Sequence, residues 1–140
     1  MASQIIPLAM RELVINRASK RCEYCLIHQD FSIYSHEIDH IIPLKHGGQT
    51  ETDNLALACL PCNRHKGTDF ATFAPNSREI TLLFSPRSQN WLEHFYLQGI
   101  MIQGVTAIGK ATASLLMFNQ PKRVLQRQIL ILKNCYPNYS

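Results

Sequence analysis

Residues 36–48 read HEIDHIIPLKHGG. An acid followed directly by an imidazole, Asp39 and His40, stands at the end of a short β-like run, just ahead of Pro43 and the Gly47-Gly48 pair. The two side chains are a poor choice for a plain strand. They are a good choice for holding a metal ion beside a general base. The run IYSHEID (33–39) predicts the strand that delivers the pair. The segment PLKHGGQTETDN (43–54) predicts a loop, marked by its proline and two glycines.

Two cysteine pairs flank this stretch. Cys22-x-x-Cys25 and Cys59-x-x-Cys62 are separated by 33 residues, longer than a zinc-ribbon spacing, so a folded element must lie between them. Two C-x-x-C pairs in a chain read as cytoplasmic point to one closed tetrahedral Zn2+ site rather than to two disulfides. Redox chemistry would need only one pair. The fifth cysteine, Cys135, reads as a free thiol with no special role.

The chain has 140 residues, 46% hydrophobic and 17% charged, which suits one modest domain with its own core. No apolar run approaches the roughly 20 residues of a membrane span. The N-terminal residues place apolar before basic side chains, the reverse of a secretory signal, so the expected location is the cytoplasm. The net charge of +4 is unevenly spread: residues 1–70 hold seven Lys+Arg and eight Asp+Glu, residues 71–140 seven and two. After Glu93 only basic charges follow, among them Lys110, Lys122, Arg123, Arg127 and Lys133. Such a tail either attracts a polyanion or forms a solvated helix face.

Helical spacing covers residues 8–20 after Pro7, and the run LALACLPCNRHK (55–66) reads as a helix capped by Asp53 or Asn54 and stopped by Gly67. Beyond it, EITLLF (79–84) predicts a strand. WLEHFYL (91–97) and IMIQGV (100–105) predict a hairpin around Gly99. Residues 106–119 predict a helix with a Thr cap, and Pro121 opens a last helix to about Lys133. On the wheel of that last helix Lys122, Arg123, Gln126, Arg127 and Lys133 share one side. Val124, Leu125, Ile129, Ile131 and Leu132 fall mostly on the other.

Phosphodiester hydrolysis needs a divalent cation to polarise the phosphate and a base poised near neutral pH. Asp39 offers a hard oxygen ligand and His40 the base. Asn63, directly after Cys62 on the expected helix, is the candidate second oxygen ligand, with Glu37, on the same strand face as Asp39, next in line. Oxygen donors suit Mg2+ or Mn2+. His36, His46 and His65 are weaker candidates, and Trp91 and His94 read as structural.

The ordered pattern C-x-x-C … EIDHIIP … HGG … DNLALAC-x-x-CN-x-x-K resembles the HNH endonuclease family over roughly residues 20–67. The resemblance implies an α+β chain: a ββα-metal core with a four-cysteine zinc site, here followed by a C-terminal α/β extension. Residues 1–70 would form the nuclease core with its N-terminal helix. Residues 71–140, of unknown role, would pack on it as one domain. Asp39 matches the metal-binding acid, His40 the histidine that activates water, and Asn54 the middle asparagine that holds the loop and orients the histidine. Asn63 matches the last motif position, a metal ligand, and Lys66 a commonly basic position suited to phosphate. The implied activity is metal-dependent hydrolysis of DNA, leaving 5′-phosphate and 3′-hydroxyl ends. Lys66, Lys122, Arg123 and Arg127 are the expected nucleic-acid contacts. The alternatives are a zinc-stabilised nucleic-acid-binding module without catalysis, and a structural zinc domain that binds protein. The first needs none of Asp39, His40, Asn54 and Asn63; the acid-free basic tail speaks against the second.

Overall fold

A computed structural model describes residues 5–137. Helix α1 (Leu8–Arg17) follows Pro7 and ends where Ser19 and Lys20 take positive φ. The first cysteine pair lies in a tight knuckle closed by Cys22 N–H to Ile27 O at 2.8 Å. Strand β1 (Glu37–His40) then pairs antiparallel with β2 (Leu55–Ala58), Glu37 opposite Ala58 and His40 opposite Leu55. Helix α2 (Leu60–Lys66) starts at Cys59 and stops at Gly67, whose N–H returns to Asn63 O.

The expected helix over 55–66 is therefore half a strand. Residues 55–58 are buried on both faces: Leu55 and Leu57 pack with Ile6 and Val14 of the α1 side, and Ala56 and Ala58 pack toward the cysteines. A strand covered on both sides carries no polar alternation, so LALA shows only helix-permissive composition. The small Ala side chains lie on the face that meets the cysteine knuckles.

The remaining elements are β3 (Ala71–Phe73) paired with β4 (Ile80–Leu82), α3 (Trp91–His94), β5 (Phe95–Gln98) paired with β6 (Met101–Gly104), α4 (Ala107–Leu115) and α5 (Pro121–Leu132). The β5–β6 hairpin turns at Gly99, at φ 61°. Its predicted first strand is shorter than 91–97, because Asn90 caps a helical turn that aims the Trp91 indole at Tyr24 O, 2.8 Å away. Thr106 caps α4 through Gly109 N–H at 3.0 Å. One buried cluster runs from Cys22, Tyr24 and Ala58 to Phe84, Phe95, Phe118, Leu130 and Tyr136, joining both halves of the chain. Among the described residues no helix is long and apolar enough to cross a membrane.

Candidate active site and metal centre

The sulfurs of Cys22, Cys25, Cys59 and Cys62 lie within 4.8 Å of one another, all buried. Cys25 Sγ is 3.6 Å from Cys59 Sγ. Tetrahedral zinc with Zn–S bonds of about 2.3 Å needs S–S edges of about 3.8 Å, so the donor set fits Zn2+. The thiols do not behave alike: hydrogen bonding with Cys22 holds Cys25 well below the ordinary thiol range. The same neighbour pushes Cys59 up, and burial pushes Cys62 up.

Arg123 of α5 closes on this centre, and Arg127, one turn on, ties α5 to the neighbouring loops. Arg123 Nη2 donates to Cys62 Sγ at 2.9 Å, and its Nη1 donates to Leu116 O and Met117 O at 2.6 and 3.0 Å. Burial acts to lower the Arg123 pKa, but thiolate charge overcomes it and the value rises. Arg127 donates to Ile100 O at 2.8 Å and Phe118 O at 2.7 Å. Tyr136 OH reaches Cys25 O. The expectation that Arg123 and Arg127 meet phosphate is thus corrected: both are buried, and their terminal nitrogens donate to sulfur, to carbonyls and to Asn119 Oδ1. Lys122 does face solvent. The helix is turned the other way from its wheel, with Leu125, Ile129 and Leu132 at 59%, 46% and 77% exposure. Sulfur and the carbonyls past the end of α4 outweigh hydrophobicity in orienting it, since an unmade hydrogen bond there costs more than an exposed leucine.

The Asp-His pair sits at the end of β1. Asp39, 4% exposed, accepts from Tyr24 OH at 2.8 Å on Oδ2 and from Lys66 Nζ at 3.2 Å on Oδ1, and the ammonium forms an ion pair with Oδ2 at 3.1 Å. The Lys66 ammonium also donates to His40 O at 3.1 Å. Lys66 is 1% exposed, which corrects its assignment as a phosphate contact in this conformation. Burial pushes the Asp39 carboxyl up, against the pull of Lys66 and Tyr24. Glu37 shares the Asp39 face by strand alternation, and its Oε1 accepts from Asn63 Nδ2 at 3.0 Å. Two separate pairs, Lys66–Asp39 and Asn63–Glu37, therefore join α2 to β1. Asp39 and Asn63 supply oxygen, the donor type of Mg2+ or Mn2+. Three oxygens of β1 already converge on a cation there, the protein's own ammonium. The donor type of these side chains suits a hard cation.

His40 Nε2 pairs with Thr50 Oγ1 at 3.0 Å. Burial lowers the His40 pKa, Asp39 opposes it and Lys66 adds to it, so the ring is neutral at pH 7. Asn54 clamps the loop after His40: Oδ1 accepts from Ile42 N–H at 2.8 Å, and Nδ2 donates to Ile42 O at 3.0 Å and Gln49 O at 2.9 Å. Its side chain holds the loop and makes no hydrogen bond to the imidazole. Gly48 allows this closure, since a Cβ there would lie 1.8 Å from Ile42 O and 2.9 Å from Asn54 Nδ2. The remaining histidines lie elsewhere: His36 Nε2 pairs with Ile27 O, His46 stacks edge-on with Phe70, and His94 pairs with Thr106. Tyr24 and Thr50 carry no sequence signal. Their roles follow only from the knuckle bringing Tyr24 under β1 and the loop returning Thr50 to His40.

Residues 22–69 match the family model described as HNH endonuclease. The CRISPR-associated endonuclease Cas9 of Corynebacterium diphtheriae is 40% identical to this chain over 65 residues, which make up 45% of this chain and 6% of that protein. No solved structure matches the chain. The family-model match spans both cysteine pairs together with Asp39, His40, Asn54, Asn63 and Lys66.

Proposed function

We propose, with an HNH endonuclease domain in residues 22–69 as the premise, that the protein hydrolyses phosphodiester bonds of DNA with the help of a divalent metal. The observation that supports it most is the junction of β1 and α2. A buried carboxylate and a neutral imidazole held by Thr50 stand at the end of β1, and α2 lies along that strand with Lys66 on Asp39 and Asn63 on Glu37.

His40 takes a proton from water, whose oxygen attacks phosphorus opposite the leaving 3′ oxygen. The P–O3′ bond breaks, giving a 5′-phosphate and a 3′-hydroxyl. His40 can do this because burial keeps its ring unprotonated, and Thr50 fixes the ring direction. Asp39 and Asn63 would hold the cation, Mg2+ or Mn2+, which would neutralise charge on the phosphate and leaving oxygen. Asn54 keeps the 42–49 loop closed so that His40 and Thr50 stay in register. Tyr24, anchored through its carbonyl by Trp91, fixes one Asp39 oxygen, so the C-terminal half of the chain supports the acid.

The test is incubation of the zinc-loaded protein with supercoiled and single-stranded DNA, with and without Mg2+. Strand breaks that require Mg2+ and vanish in His40→Ala are expected. DNA retention without breaks in any divalent ion would instead establish the non-catalytic binding module.

A further inference from the structure

The Lys66 ammonium has an unusual position for a lysine near a nuclease centre. It is 1% exposed, and its ammonium faces the protein's own oxygens. Its three oxygen partners, both carboxylate oxygens of Asp39 and the carbonyl of His40, all lie at 3.1–3.2 Å. A carboxylate has about four lone-pair directions. Tyr24 OH takes one on Oδ2 and Lys66 one on Oδ1, and the ammonium also stands 3.1 Å from Oδ2. A divalent ion can hardly use the others while a positive charge stays beside them, because two cations sharing one buried carboxylate repel strongly.

We propose that Lys66 is the resting cation of this site. It holds Asp39 in place of the divalent ion and withdraws when the ion binds. The inference rests on the nuclease reading and adds how the metal site is regulated. Lys66 is the last residue of α2, and Gly67 follows at φ 53°. Its tether is therefore a helix end and a flexible four-carbon stem, so the ammonium can swing without unfolding an element. It stands three residues after Asn63, on the same face of α2. Loss of Lys66 from Asp39 and recruitment of Asn63 therefore happen along one helix edge.

An outside anion changes the balance. A DNA phosphate arriving at the strand end offers the displaced ammonium a new partner and offers the metal further oxygens. Metal and DNA should then bind cooperatively, each weak alone, because the first must break the Lys66–Asp39 pair that the second compensates. Lys66 is a positioning residue here, acting on the metal through Asp39.

The experiment measures free Mn2+ by electron paramagnetic resonance during titration of the full-length, zinc-loaded chain without DNA. Wild type, Lys66→Met, Lys66→Arg and the double variant Asp39→Asn/Lys66→Met are compared, with zinc content and circular dichroism reporting the fold. Lys66→Met is expected to bind Mn2+ about tenfold tighter or more, the scale of one charged hydrogen bond. Lys66→Arg should stay weak, and the double variant should lose the gain. Unchanged or weaker Mn2+ binding in folded Lys66→Met overturns the proposal. So does a double variant that keeps the tighter site. Should Lys66→Met fail to fold, wild type decides by NMR: the protected Lys66 Nζ signal should be lost at Mg2+ concentrations that shift the Asp39 carboxyl carbon. A Nζ signal that persists while the carboxyl carbon shifts overturns the exchange. Failure of the nuclease reading shows separately, as absence of DNA breaks in wild type.

Discussion

Arg123 Nη2 lies 2.9 Å from Cys62 Sγ, across 61 positions of sequence. Four thiolates around Zn2+ carry a net charge of about −2, and the Arg123 guanidinium is the charged side chain hydrogen-bonded to them. The same guanidinium caps the carbonyls of Leu116 and Met117, so it binds the C-terminal helices to the cysteine centre. Removing a partner that hydrogen-bonds to metal ligands typically weakens metal binding about 10- to 100-fold. Arg123→Met is expected to release zinc faster to a colorimetric chelator by a factor in that range. Arg127→Met removes a side chain that donates to Ile100 O, Phe118 O and Asn119 Oδ1 and to no sulfur, so it should lower thermal stability and leave zinc release near wild type.

What the sequence revealed divides along physical lines. The order C-x-x-C, Asp-His, Gly-Gly, Asn, C-x-x-C-Asn marks the site because metal and acid–base chemistry restrict residue type position by position. The strand at 55–58 was hidden because both its faces are buried, leaving LALA without polar alternation. Helix α5 misled for the opposite reason. Its wheel is amphipathic, but the sulfur and carbonyl acceptors that draw Arg123 and Arg127 inward come from distant segments that no local pattern shows. Lys66 was legible as a basic position and illegible as a buried partner of Asp39, since pairing across 27 residues is a property of the β1–α2 crossing.

The buried arginines change what the basic tail can do with DNA. Lys122 is exposed, and its loss should lower the slope of log binding constant against log salt by about one if it meets a phosphate. Arg123→Gln and Arg127→Gln should leave that slope unchanged while lowering the melting temperature. A filter-binding series at several salt concentrations separates the two classes. A slope reduced by either arginine variant with unchanged melting would show that α5 turns over when DNA binds.

Gly48→Ala tests the loop clamp. The added methyl would sit on Ile42 O and against Asn54 Nδ2, so the loop must open. Overpacking of this kind costs about 1–3 kcal/mol. A loss of that size in urea unfolding is expected, with lower cleavage as His40 and Thr50 lose register. Asn54→Ala should give a similar loss by leaving Ile42 N–H and two carbonyls without their partner.

His40→Ala is expected to reduce cleavage by about 10² to 10⁴, the contribution of a positioned base, with DNA binding and zinc content retained. The pH profile adds an independent sign. Burial lowers the His40 pKa below the ordinary histidine value of 6.5, and the nearby Lys66 charge adds to this. The working form is the neutral ring, so cleavage should persist as pH falls through 6.5 and decline only below it. Stability follows the same shift: below 6.5 the unfolded chain takes up the proton before the folded one does. The fold therefore loses the stability it has above 6.5 as pH falls through the lowered value. Lys66→Met removes a positive charge that disfavours the imidazolium. It should therefore raise the His40 pKa relative to wild type and move the ring titration toward 6.5. NMR titration of the His40 ring proton in both proteins reads this without any need for activity. A ring that titrates at or above 6.5 in wild type would mean that His40 is not kept neutral by its surroundings, and the acid limb of cleavage would then move up with it.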